Sequence, residues 1–137
     1  MCSSDLRFRG EIMEDKIEEL LKQIGRPYEM FNEDGTYQGC FYPVQFLYPE
    51  KPRYKLRSDD DDQNYWWGCE KIKEHCHEVT KDEFYKPGDI VVTRFKNELH
   101  VAIFWQFGKI IHVFRGHTLQ IGRLKMFGDF KVFRVDR

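Results

Sequence analysis

Three short runs decide the fold: Ile90-Val-Val-Thr-Arg-Phe95, His100-Val-Ala-Ile-Phe-Trp105 and Lys109-Ile-Ile-His-Val-Phe114. Their β-branched and aromatic content marks each as a strand. Lys86-Pro-Gly-Asp89 punctuates the chain before the first, and Gln106 to Gly108 supplies a tight turn between the second and third. The spacing predicts short strands at Leu124–Phe127 and Lys131–Val135 as well. Upstream, the period is helical. Ile17, Leu20, Leu21 and Ile24 form one apolar stripe on a helix from Met13 to about Gln23, which Gly25 and Pro27 end. A second helix is expected near Cys40, with Pro43 in its first turn. A third is expected from Asn64 to about Val79. Helices followed by an antiparallel sheet define an α+β class.

Composition narrows the rest. The chain has 137 residues, 41% hydrophobic and 33% charged, which excludes disordered and collagen-like classes. No run approaches the roughly 18 apolar residues of a membrane span. Residues 1–10 show no periodicity and are read as a disordered or non-native segment, leaving one domain over residues 11–137. Their lack of an apolar stretch predicts synthesis in the cytoplasm without signal-directed export. The net charge of −1 gives no case for nucleic-acid binding. Charge is uneven, however: residues 103–137 carry 7 Lys and Arg against 2 Asp and Glu. Cys2, Cys40, Cys69 and Cys76 are too few for a disulfide framework.

Several clusters carry no chemistry on this reading. Asp59 to Asp62 lacks the alternating ligands and Gly turn of a calcium loop. Cys69, His75, Cys76 and His77 do not converge for zinc if they lie on one helix. Tyr65, Trp66 and Trp67 could stack on sugar rings, but one or two of them read as core, as does Trp105, and Asp89 reads as a local turn cap.

Three residues do carry chemistry. Cys40 lies at an expected helix start, where unpaired backbone N–H groups favour a thiolate and desolvation opposes it. His100 opens one strand and His112 lies on the strand that returns beside it. The hairpin brings them close to opposite positions on one face, provided the register does not slip by one residue. A nucleophile, a base and an orienting group would then share one place.

These residues resemble a known family, the NlpC-type papain-like cysteine peptidases that cut bacterial cell-wall peptides. The likeness runs from about Gly25 to Arg137. Lys86-Pro-Gly-Asp-Ile-Val-Val92, His100-Val-Ala-Ile-Phe104 and Gly108-Lys-Ile-Ile-His112 match the family's run through its two histidines. Gly25-Arg-Pro-Tyr28 matches its G-x-P-Y element, and Cys40 falls in the nucleophile slot. The short layout and the Val132-Phe-Arg134 ending resemble the phage tail-associated branch. The resemblance implies a papain-like α+β domain, with Cys40 as nucleophile, His100 as general base and His112 as orienting residue. Tyr28 and the Cys40 backbone N–H would serve the oxyanion, and Gly39 and Phe41 would flank the substrate. The implied substrate is a peptidoglycan stem peptide cut without a metal or cofactor, and the implied partners include phage tail proteins. Gly39, Phe41, Tyr42 and Pro43 replace the family's Asp, Ser or Trp, Gly and Leu. Two rivals therefore stand: a non-catalytic binding protein on the same fold, and a thiol hydrolase or acyltransferase with another amide or ester substrate.

Overall fold

A six-stranded antiparallel sheet organises the chain. The structure, a computed structural model, describes residues 13–53, 55 and 69–136. The strands are β1 (Cys76–Val79), β2 (Ile90–Phe95), β3 (Glu98–Phe104), β4 (Lys109–His112), β5 (Gln120–Arg123) and β6 (Phe130–Val135). Their order is β1-β6-β2-β3-β4-β5, so β6 returns across the sheet to lie between β1 and β2. The helices α1 (residues 13–21) and α2 (Tyr42–Leu47) precede it, and residues 69–73 form a third, α3.

Both faces of the central strands are covered, which is why those strands read as unbroken apolar runs. One face places Ile90, Val92, Val101, Ile103, Ile111 and Phe133 against Ile17, Leu20, Leu47 and Ile72 of the helices. The other closes Val91, Ala102, Phe104, Ile110 and Val132 under Phe127. Asp89, buried ahead of β2, accepts from the Lys86 backbone N–H at 2.8 Å, the local cap the sequence suggests. It also receives Arg134 of β6 in a bidentate pair at 2.9 and 2.8 Å, stitching the turn to the sheet.

Sequence and structure differ at three elements. The helix expected over residues 64–79 ends at residue 73, and Cys76–Val79 is strand β1, in register with Val132–Val135. Ile72 and Cys76 are spaced like a helical pair, but both are buried in the same core from different elements, and pairing with β6 satisfies the backbone from Cys76 to Val79. Leu124–Phe127 is not a strand. Leu124–Met126 is a 3-10 turn, and Leu124 and Phe127 pack together on the second core. The strand lies just upstream, as β5. Finally, α1 stops at residue 21, and Ile24 is exposed beyond it because Gly25 (φ 98°) turns the chain so that its N–H bonds the Leu119 carbonyl. Residues 1–10, Asp59–Asp62 and Tyr65–Trp67 lie outside the described residues.

Candidate active site

The site begins where β4 leaves β3. The two strands pair only at Ile103↔Ile111 and Phe104↔Ile110. Nearer its start β3 has a backbone edge that β4 does not cover, and Cys40 fills that place. Its thiol donates to the Leu99 carbonyl at 3.7 Å and takes a backbone hydrogen bond from Val101. Cys40 sits in a 3-10 turn (Gly39–Phe41) leading into α2, with Pro43 in the first turn of the helix as the sequence predicts.

Helix-start stabilisation of the thiolate does not prevail here. Cys40 is buried, and burial pushes its thiol up to about 11, against the lowering effect of the Tyr37 hydroxyl and nearby backbone N–H groups. A six-residue helix entered through a tight turn concentrates little dipole at its start.

The two histidines meet. His100 Nε2 lies 2.9 Å from His112 Nδ1, with the rings tilted 74°. The register places them as diagonal neighbours: continued from Ile103↔Ile111, it sets His112 across from Ala102, two residues from His100. The expectation of opposite positions is therefore corrected by one diagonal step. Because the offset is two residues, both rings stay on one face. Phe114 and Phe127 pack against both rings, and Phe95 against His100. Burial holds both imidazoles neutral, pushing His100 down to about 3, with the neighbouring His112 adding to the effect, and His112 down to about 4, with His117 adding. One neutral ring must then donate to the other.

Cys40 and His100 line one cleft of about 240 Å³ with Tyr28, Tyr37, Glu98 and Arg115. The thiol's one side-chain partner among the described hydrogen bonds is Tyr37 Oη (3.7 Å), not the imidazole. Tyr28 is in the cleft, its hydroxyl 3.5 Å from that of Tyr37. Gly39 is buried behind it at φ 41°, where a Cβ would collide with the Tyr37 ring. Phe41 does not line this cleft. It lies edge-on to Tyr37 at 5.8 Å and borders a separate apolar pocket with Val44, Tyr48 and Ile72.

Two residues of this site escape a sequence reading. Tyr37 stands in a polar loop with no periodic neighbour. Gly122, in β5, leaves room for His112: a Cβ there would sit 2.8 Å from His112 Nε2. A Gly inside a strand signals a close approach, but the sequence does not say to what. Among the described residues no group of three or more His, Cys, Asp or Glu is placed to hold a metal ion, and no helix is long and apolar enough to cross a membrane.

Helices packed on a six-stranded antiparallel sheet, with a cysteine in the turn before α2 and a histidine pair on the neighbouring hairpin, define an α+β, papain-like class. Within it, the chain has the NlpC/p60 fold. The NlpC/p60 domain of the peptidoglycan hydrolase SagA superposes with TM-score 0.56 at 21% identity, covering 88% of this chain and 97% of that one. RipD from Mycobacterium tuberculosis is a non-catalytic NlpC/p60 domain protein adapted to peptidoglycan binding. It matches with TM-score 0.57 at 17% identity over 90% of this chain and 97% of its own. A lipoprotein-like NLP/P60 family protein from Staphylococcus aureus matches with TM-score 0.58 at 20% identity, covering 93% of this chain and 42% of that one. No family model and no curated protein matches the sequence.

Proposed function

We propose that this domain is a cysteine hydrolase that cleaves an amide bond in the stem peptides of bacterial peptidoglycan. The observation that carries the reading is the His100–His112 pair at 2.9 Å, with His100 lining a cleft shared with Cys40. With His100 Nε2–H donating to His112 Nδ1, the His100 Nδ1 lone pair is left to accept a proton. In this reading it takes the proton from Cys40 Sγ as the sulfur attacks the carbonyl carbon. The Tyr28 hydroxyl and the Cys40 backbone N–H donate to the oxyanion. His100 then returns the proton to the leaving amine, and water, deprotonated by the same imidazole, releases the acyl group from sulfur. Gly39 and Phe41 shape this site from behind, through Tyr37. Lys96 and Arg115 outnumber Glu98 at the cleft wall, which suits a peptide bearing carboxylates. The likeness in shape to SagA supports the substrate class. The likeness of Gly25-Arg-Pro-Tyr28 and Val132-Phe-Arg134 to the phage tail-associated branch supports a phage tail or prophage setting, in which tail proteins are partners and the enzyme reaches the wall as part of a virion.

A second reading is favoured by a specific observation. The thiol is buried and covered by Tyr37, and RipD shows that this fold also serves non-catalytic binding. One experiment separates the two. Purified muropeptides are incubated with native protein, Cys40→Ala and His100→Ala, and products are followed by mass spectrometry. New amines and acids from the native protein alone support the hydrolase. Saturable muropeptide binding by all three proteins, with no product, establishes the binding module instead.

A further inference from the structure

Tyr37 stands beside Cys40 on the cleft that both residues line. Its hydroxyl lies 3.7 Å from Cys40 Sγ, and a carbonyl carbon must come to about 3–3.5 Å of the sulfur for attack. An electrophile that approaches from the Tyr37 side must displace that hydroxyl. Gly39 admits the ring, since any Cβ at that position would overlap it. The backbone beneath is pinned: the Tyr37 carbonyl accepts from Gln45 Nε2 at 2.7 Å and Asn32 Nδ2 at 3.3 Å, and Tyr37 bridges to Phe31. The side chain is held more loosely, by two long contacts to Cys40 and Tyr28 and by the edge of Phe41. Tyr37 is also the one described residue that lines both the Cys40 cleft and the neighbouring apolar pocket.

We propose that Tyr37 is a specificity-determining residue that selects by size which acyl groups reach Cys40. Its ring covers the sulfur at rest and must rotate away before a bond to sulfur forms. Small electrophiles need a small rotation, whereas bulky ones must displace the whole ring. The role in catalysis rests on Cys40 being the nucleophile, but the shielding itself does not.

The test is the ratio of two Cys40 alkylation rates, with iodoacetamide and with a bulky N-aryl maleimide, each normalised to a free cysteine peptide. Peptide mass spectrometry separates Cys40 from the other three cysteines. The native protein is expected to favour iodoacetamide tenfold or more beyond the peptide. Tyr37→Ala should erase at least tenfold of that preference, and Tyr37→Phe, which keeps the ring, should hold it within twofold. Circular dichroism checks each fold. If Tyr37→Ala does not fold, Tyr37→Leu carries the same expectation, and the native ratio is informative by itself. A native ratio equal to that of the peptide overturns the proposal. So does a loss of preference smaller than tenfold in Tyr37→Ala, or a Tyr37→Phe protein that behaves like Tyr37→Ala. His100→Ala should slow both reagents alike. If it slows neither, the hydrolase reading fails while the ratio still decides the role of Tyr37.

Discussion

Cys40 and its two histidines are poised in neutral forms. Burial raises the thiol to about 11 and lowers the imidazoles to about 3 and 4. A standing thiolate–imidazolium pair would need the opposite shifts. On the proposed mechanism the proton therefore moves during attack, after Tyr37 rotates away and the cleft rehydrates or fills with substrate. The rate of iodoacetamide capture at Cys40 should consequently rise with pH along a curve centred well above the free-thiol value of about 8.5. Peptide mass spectrometry over pH 6 to 11 measures it. A midpoint below 8.5 would show that the covered thiol is ionised and that the imidazole pair carries the charge. At this scale the sequence is informative about identity and silent about state. Cys40, His100 and His112 stand out from their motif spacing. Whether helix start or burial wins at Cys40 depends on how deep the thiol sits, and Tyr37, which stands against it, lies in a polar loop with no pattern to announce it.

Elements set the distances that residues exploit. The hairpin β3–β4 brings His100 and His112 together, β5 backs His112, and the 3-10 turn before α2 delivers Cys40 to the edge β4 leaves open. Gly122 is the narrow point. Ala at this position puts a Cβ 2.8 Å from His112 Nε2 and 3.2 Å from Met126 Sδ. Met126 is a flexible side chain, half exposed, and can give way. His112 is caged by Phe114 and Phe127 and cannot move without loosening its bond to His100. Gly122→Ala should cost about 1–3 kcal/mol of stability from overpacking and, on the proposed mechanism, lower hydrolysis at least tenfold by displacing the His112 ring. Urea unfolding and muropeptide turnover measure the two effects. Unchanged turnover in a folded Gly122→Ala protein would remove His112 from the mechanism. The strands that build this geometry are legible as β-branched runs between turns. The helix expected over residues 64–79 is not what forms, because Ile72 and Cys76 mimic a helical pair while β6 offers Cys76–Val79 a partner that only the folded sheet reveals. The Leu124–Phe127 turn is a second case: its apolar content reads as a strand, but residues three apart reach one core only in a 3-10 turn, since a strand would point them to opposite faces.

The whole molecule carries these buried titrating groups as a pH-dependent stability. In the unfolded chain the histidines titrate near 6.5. Folded, His100 and His112 refuse protons until about 3 and 4. Below pH 6.5 the unfolded state therefore binds protons that the folded state does not, and stability falls as pH drops toward 4, by up to about 1.4 kcal/mol per pH unit for each histidine. At the alkaline end the sign reverses. Cys40 and Cys76 keep their protons to about 11 when folded, whereas unfolded thiols lose them near 8.5. Above that value the unfolded state sheds protons that the folded state retains, and stability falls again. Thermal unfolding from pH 4 to pH 10 should give a maximum between about 6.5 and 8.5. Cys40→Ala should flatten part of the alkaline limb and leave the acid limb unchanged. Imidazole resonances of His100 and His112 followed by NMR should show no titration between pH 8 and pH 5. An inflection there, together with an acid limb that stays flat to pH 5, would mean that the histidine pair charges inside the fold, and the neutral resting site would have to be given up.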